Sequence, residues 1–495
     1  MLVYVDGTVE MRRTVNNLLN LFFPGHKKAS AKEDAEVIFH IAAERTDKGP
    51  VVRCHLRLEE VSRTHILKQE WVGETDRTNE TRRVARLATL QLLEKVTGQQ
   101  ASSWGTLTGV RPTKIVHRML DLGWDISRAQ SVLTSNYAVS REKIDLLCGV
   151  AAKQRPFLEG AGDGFFNLYL GIPFCPSRCR YCSFPAVAIN KYKNLVEPFV
   201  QSLCREISGA AQAAADYGLT PRTIYIGGGT PTALSVGQLK EILQTLTEGF
   251  GDMPKEFTIE AGRPDTLDEE KLLLFRRYGI NRISVNPQTM CNQTLARMGR
   301  LHTAEEFVRV YRLARLTGFD IINTDLIVGL PGETTDIVRD TVSRVTALEP
   351  ENITVHTLAL KRASELLQQT KEYSFPQKEA VAKMLSLTGK RLLAMGWQPY
   401  YLYRQKNTLG RLENVGYAKP GKECVYNIMM MEERESVIGL GVGSGSKWVK
   451  SGELFAATYN PRDIIIYLDR LAMLIKEKSE KCAVLGGMQD VNHQA

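Results

Sequence analysis

The sequence predicts an α/β protein built on a partial (β/α)6 barrel, flanked by an N-terminal α+β domain and a mixed, mainly helical C-terminal domain. Three observations predict it. Between about residues 165 and 360, strand-like and amphipathic segments alternate in the pattern of a parallel sheet with crossover helices. Three cysteines, Cys175, Cys179 and Cys182, fall within eight residues, just after the first of these strands. The chain has 495 residues, ample for more than one core.

Residues 1–100 read as the α+β domain. Leu2–Val5, Ala35–Ala42 and Val51–Leu58 have strand character, and Val84–Val96 carries apolar residues at helical spacing. Residues 101–163 read as a helical connector. Its Gly105-Thr-Leu-Thr-Gly-Val-Arg-Pro-Thr-Lys114 stretch reads as a tight turn opening a helix, with Arg111 and Lys114 as neighbours an anion could use.

The core, 164–365, has six candidate strands: Leu168–Ile172, Thr223–Ile226, Phe257–Ala261, Arg282–Val285, Ile321–Val328 and Ile353–Leu358. Val196–Ala214 and Ala304–Thr317 are amphipathic crossovers. Residues 366–495 hold two helical segments, a Gly- and Tyr-rich region and a closing helix, with Val484–Ala495 as a frayed tail.

Composition narrows the partners. Net charge is +9, but the positive residues are dispersed and no RNP-like, zinc-finger or KH motif is present. An anionic small molecule suits this balance better than nucleic acid. No apolar run approaches the length of a membrane span, and no charged-then-apolar leader opens the sequence. Cys54, Cys148, Cys204, Cys291, Cys424 and Cys482 are scattered, as in a reducing cytoplasm.

The chemistry concentrates at strand ends. The C-x3-C-x2-C loop offers three thiolates, whereas zinc ribbons present two C-x2-C pairs. A three-legged site suits an iron–sulfur cluster with one iron open to an exogenous ligand. Arg178 and Arg180 interleave with the cysteines and could offset the cluster's negative charge. The second strand runs into Ile226-Gly-Gly-Gly-Thr230, where consecutive glycines expose backbone donors and acceptors to a ligand. Glu260, Gln288, Arg300 and Asp325 follow at or near later strand ends. Arg263, His356, Lys361 and Arg362 present positive charge suited to carboxylates.

The cysteine loop resembles that of the radical S-adenosylmethionine (SAM) enzymes. The motifs from about Tyr169 to Ala359 resemble the oxygen-independent coproporphyrinogen III oxidase family, in particular its HemZ-type members. The resemblance implies a [4Fe–4S] cluster on Cys175, Cys179 and Cys182. It implies SAM contacts by Tyr169, Tyr181, Gly228, Gly229, Thr230, Glu260, Gln288, Arg300, Asp325 and Ala359. SAM chelates the open iron in that family, and its reductive cleavage yields methionine and a 5′-deoxyadenosyl radical. The implied reaction is oxidative decarboxylation of coproporphyrinogen III to protoporphyrinogen IX in heme biosynthesis. An electron donor such as flavodoxin or ferredoxin is implied as partner, and Arg263, His356, Lys361 and Arg362 as contacts to the anionic tetrapyrrole.

The chain departs from the well-characterised oxidases. Ser183-Phe184 stands where they carry a further cysteine, and the N-terminal 160 residues exceed their short lead. A heme-trafficking relative carries a His-Asn-x-x-Tyr-Trp signature. Here Cys424-Val-Tyr426-Asn427-Ile-Met-Met430-Met431 stands in its place, so heme binding is a rival expectation. Methyl transfer to heme, or its ring opening, is another. Gly439–Ser446 is glycine-rich but lacks the Lys-Ser/Thr placement of a phosphate loop.

Overall fold

The computed structural model describes residues 1–72, 76–100, 102–251, 253–361, 364–368, 373–405 and 407–487. The chain divides into two compact units, 1–151 and 152–495.

The first unit contains strands β1 (Leu2–Asp6), β2 (Lys27–Lys28), β3 (Val37–Arg45), β4 (Pro50–Leu58) and β5 (Val61–Lys68). They form one sheet in the order β2-β1-β3-β4-β5. Helices α1 (Val9–Phe22) and α2 (Arg77–Thr97) bury Val15, Leu18, Val84 and Ala88 with Phe39 and Ile41 of β3 and Val52 and Leu56 of β4. Asp76 caps α2 by accepting from the Thr78 and Asn79 amides, and Gly98 ends it in the left-handed conformation that glycine tolerates best. Three further helices follow: α3 (Thr113–Asp121), α4 (Ile126–Tyr137) and α5 (Arg141–Glu159), within which the division falls. The Gly105–Lys114 stretch leads into α3, as expected of a helix-opening turn.

The second unit begins with β6 (Phe165–Ile172), the short pair β7 (Phe174–Cys175) and β8 (Val187–Ala188), and α6 (Lys193–Asp216). Next come β9 (Thr220–Gly228), α7 (Val236–Phe250), β10 (Glu256–Glu260), α8 (Glu269–Arg277) and β11 (Arg282–Ser284). The core closes with α9 (Asn292–Arg297), α10 (Ala304–Leu316), β12 (Ile321–Val328), α11 (Thr335–Thr346) and β13 (Asn352–Thr357). Strands β6, β9, β10, β11, β12 and β13 lie side by side in chain order, every pair parallel. These are the six expected strands. Capping boxes start α7 (Ser235 with Gln238) and α10 (Thr303 with Glu306), fixing where two crossovers leave their loops.

The C-terminal region adds α12 (Glu365–Gln368), α13 (Lys378–Ala394), β14 (Gln398–Arg404), β15 (Glu413–Ala418) and α14 (Val425–Glu432). It ends with β16 (Ser436–Gly441), β17 (Gly445–Lys450), β18 (Glu453–Tyr459), α15 (Ile464–Asp469) and α16 (Leu471–Leu485). Helices predominate in it, but its five strands extend the core sheet at both edges, giving β14-β15-β13-β12-β11-β10-β9-β6-β16-β17-β18. The sheet stays open, a partial barrel with β14 and β18 as its two ends. Val484 and Leu485 belong to α16 rather than to a tail, and 488–495 lie outside the described residues.

The β16–β17 turn is fastened by a buried carboxylate. Glu206 of α6 accepts from the Gly441 amide (2.7 Å), the Tyr467 hydroxyl (2.7 Å) and the Asn460 amide (2.8 Å). It also pairs with Lys478 of α16 at 2.9 Å, both side chains being almost fully buried.

Candidate active site

Pro173 interrupts the first core strand, and the chain turns into the cysteine loop. β7 and β8 pair across the base of that loop, with the Val187 amide donating to the Pro173 carbonyl at 2.8 Å. The adjacent strand reinforces it, because the Gly229 and Thr230 amides donate to the Ile172 and Phe174 carbonyls, both at 2.7 Å. Glycine is required there. A Cβ on Gly229 would lie 2.6 Å from the Phe174 carbonyl oxygen and 3.0 Å from the Cys175 sulfur, and Gly228 has a φ of +110°.

Two of the three thiols have side-chain donors. The Thr230 hydroxyl donates to Cys175 Sγ at 3.4 Å, and Arg263 Nη1 to Cys179 Sγ at 3.3 Å. Arg300 Nη1 stands 3.9 Å from the Cys179 sulfur. Burial pushes the Cys175 thiol up to about 11 and also raises Cys182, so a cationic centre is needed to hold both as thiolates. Among the described residues, no group of His, Cys, Asp or Glu is arranged to hold a single metal ion. The donor set, three soft sulfurs on one loop with guanidinium neighbours, fits an iron–sulfur cluster.

Arg178 faces Cys182 electrostatically. Arg180 turns away, pairing with Glu365 of α12 at 3.4 Å and donating to the Tyr373 hydroxyl at 2.7 Å. It thus straps the segment after β13 to the loop, and the cations at Cys179 are instead Arg263 and Arg300.

The cysteines open into a cavity of about 520 Å³. Tyr169, Tyr181, Gly228, Gly229, Thr230 and Glu260 line it, as do Gln288, Arg300 and Asp325, so one space collects residues from five of the six core strands and the loops after them. Gln288 has a φ of 68°, and its buried Oε1 has no partner among the described residues, leaving an acceptor for a ligand. Burial pushes the Glu260 carboxyl up to about 7, although the Tyr225 hydroxyl donates to it at 2.7 Å. Asp325 accepts from the Asn286 and Asn323 side-chain amides, each at 2.8 Å. Ala359 is not part of this lining and bridges to Thr408 instead.

Of the residues expected to meet a substrate, Arg263 and His356 line the cavity. Arg263 is turned to the cysteine loop, whereas His356 stands 3.7 Å from Asp325 and within 3.1 Å of the Tyr403 hydroxyl. Lys361 is half-buried near Cys182, and its ammonium is shifted down by burial. Arg362 lies outside the described residues.

Sequence reasoning singled out Tyr169, Tyr426, Met430 and Met431 but missed Tyr225, Tyr400, Tyr401 and Tyr403, which join them in one wall of the cavity. Tyr225 and Tyr426 stack at 4.5 Å, with Tyr169 6.2 Å from each. Tyr400, Tyr401 and Tyr403 of β14 and Met430 and Met431 of α14 complete an aromatic and thioether surface. The Tyr-Tyr-Leu-Tyr run was its visible signal.

An open parallel barrel with a three-cysteine loop at the exit of its first core strand defines a radical SAM protein. The Radical SAM superfamily profile matches residues 169–345. The oxygen-independent coproporphyrinogen-III oxidase-like protein HemZ of Bacillus subtilis is 37% identical over 491 residues, 97% of each chain. The heme chaperone HemW of the same organism is 30% identical over 286 residues, covering 56% of this chain and 70% of the relative. The structure of coproporphyrinogen III oxidase (HemN) from Escherichia coli shares the fold at a TM-score of 0.51 and 22% identity, covering 65% of this chain and 72% of that one. The chain therefore belongs to the radical SAM superfamily, within the HemZ group of oxygen-independent coproporphyrinogen-III oxidase-like proteins. That superfamily uses a [4Fe–4S] cluster and SAM.

Proposed function

We propose that the protein decarboxylates coproporphyrinogen III to protoporphyrinogen IX without oxygen, in heme biosynthesis. The observation that carries this reading is the shared cavity, in which the cysteine loop, the polar strand ends and an aromatic wall face one space. Cys175, Cys179 and Cys182 would hold the cluster. Gly228, Gly229, Thr230, Glu260, Gln288, Arg300 and Asp325 would hold SAM, with Tyr169 and Tyr181 beside them. When bound, these groups supply a 5′-deoxyadenosyl radical, reactive enough to remove an unactivated hydrogen.

The chain's own residues orient and shield. Arg263 and the Thr230 hydroxyl fix two sulfurs. Tyr225 holds Glu260 in place. The tyrosine and methionine wall keeps water from the reacting carbon and offers flat apolar surface to a pyrrole ring. His356, which lines the cavity, and Lys361, which lies near Cys182, would contact propionate groups. Each propionate gives up a β-hydrogen, carbon dioxide and one electron to become a vinyl group. A one-electron donor such as flavodoxin or ferredoxin would supply the electron that this chemistry needs. All nine cysteines are free, in keeping with a reducing cytoplasm. No described helix is long and apolar enough to cross a membrane.

A second reading, heme binding as in a chaperone, draws on Tyr426, Met430 and Met431 at the cavity wall. Anaerobic incubation of reduced protein with SAM and coproporphyrinogen III separates the two. Vinyl porphyrinogen with carbon dioxide supports the oxidase. Tight heme binding with coproporphyrinogen returned unchanged supports the chaperone.

A further inference from the structure

Arg263 is 2% exposed, an unusual place for a guanidinium unless its donors are satisfied. Its fork is divided. Nε and Nη2 grip the two oxygens of Asp265, each at 3.0 Å. Nη1 points the other way, to the Ser177 carbonyl at 3.2 Å and to Cys179 Sγ at 3.3 Å, while Nη2 also reaches the Ser177 hydroxyl at 3.1 Å. One side chain therefore joins the loop after β10 to the cysteine loop by way of a ligand sulfur. A pure ion pair with Asp265 would not need Nη1 there.

The sulfurs of Cys175 and Cys179 are unequal as a result. Cys175 receives a neutral hydroxyl, but Cys179 receives a buried guanidinium at hydrogen-bond distance and a second at 3.9 Å. Hydrogen bonds and positive charge at a cluster's sulfurs stabilise the reduced, more negative state and raise the reduction potential. Burial keeps solvent from screening that effect.

We propose that Arg263 is a positioning residue that fixes the Cys179 corner and raises the potential of the cluster, easing its one-electron reduction. The proposal rests on the reading that Cys175, Cys179 and Cys182 hold that cluster. Asp265 anchors the guanidinium, so the device is an Asp265–Arg263–Cys179 relay rather than a substrate contact.

The test is a redox titration, followed by the spin signal of the reduced cluster, on anaerobically reconstituted wild-type protein, Arg263→Gln and Arg263→Lys, all without SAM. At a fixed poise near the wild-type midpoint, the ratio of reduced to oxidised cluster in Arg263→Gln should fall about tenfold, a shift of about 59 mV for one electron. Arg263→Lys, which keeps the charge but not the fork, should fall between. Should Arg263→Gln lose its iron, Arg263→Lys decides alone. A midpoint at or above the wild-type value in an iron-replete variant overturns the proposal. If wild-type protein itself takes up no cluster, the reading of the three cysteines fails instead.

Discussion

Gly229 leaves no room for a side chain, because its Cβ would enter contact distance of both the Phe174 carbonyl and the Cys175 sulfur. Gly229→Ala should therefore displace the cysteine loop. It should fold yet hold well below the roughly four irons of a full cluster, which iron and sulfide analysis would show. Glu260 makes a different demand. Its carboxyl is pushed from an ordinary 4.5 up to about 7 by burial. Between those values the unfolded chain gives up a proton that the folded protein keeps. The contribution is thus complete below about pH 4.5 and lost as pH rises through about 7. The 2.5-unit gap (7 − 4.5) bounds it at on the order of 3 kcal/mol. Denaturant unfolding of cofactor-free protein should show a smaller loss of stability from pH 4.5 to 8 in Glu260→Gln than in wild type. Equal losses would mean that Glu260 does not titrate this way.

The six core strands were legible because each is a short apolar run ended by glycine, proline or a polar residue, with a crossover between. Strand β5 was not. Val-Ser-Arg-Thr-His-Ile-Leu-Lys exposes nearly every side chain, so its place depends on backbone pairing with β4 rather than on a buried stripe. The edge strands β14–β18 escaped for another reason: nothing local reveals that β15 returns antiparallel beside β13 or that β16 joins β6 in parallel. The β16–β17 turn bears on the cavity, and Glu206 holds it from α6. Glu206→Ala strands the Lys478 ammonium in the interior and should cost about 3–5 kcal/mol. Adding Lys478→Met should recover a large part of that loss. A double-mutant cycle in urea measures the coupling, and simple additivity would show that the pair is not the anchor.

Across the whole molecule, the candidate site was readable where its chemistry is carried by unusual residues in a short motif, and unreadable where direction matters. Cys175, Cys179, Cys182 and most of the polar strand ends meet in one cavity. A sequence says that Arg263 and Arg180 carry charge but not which way a guanidinium turns. One went to a sulfur and the other to Glu365 and Tyr373. The tyrosine and methionine wall comes from β14 and α14, far along the chain from the cysteines, and only tertiary folding brings them together.

The central claim is that this cavity directs a radical at the propionate arms of coproporphyrinogen III. The most direct measurement uses that substrate deuterated at the propionate β-carbons, incubated anaerobically with reduced, cluster-loaded protein and SAM. The expected result is deuterium in the 5′-deoxyadenosine, with carbon dioxide and vinyl product rising in step. Unlabelled 5′-deoxyadenosine beside unchanged coproporphyrinogen would contradict the claim.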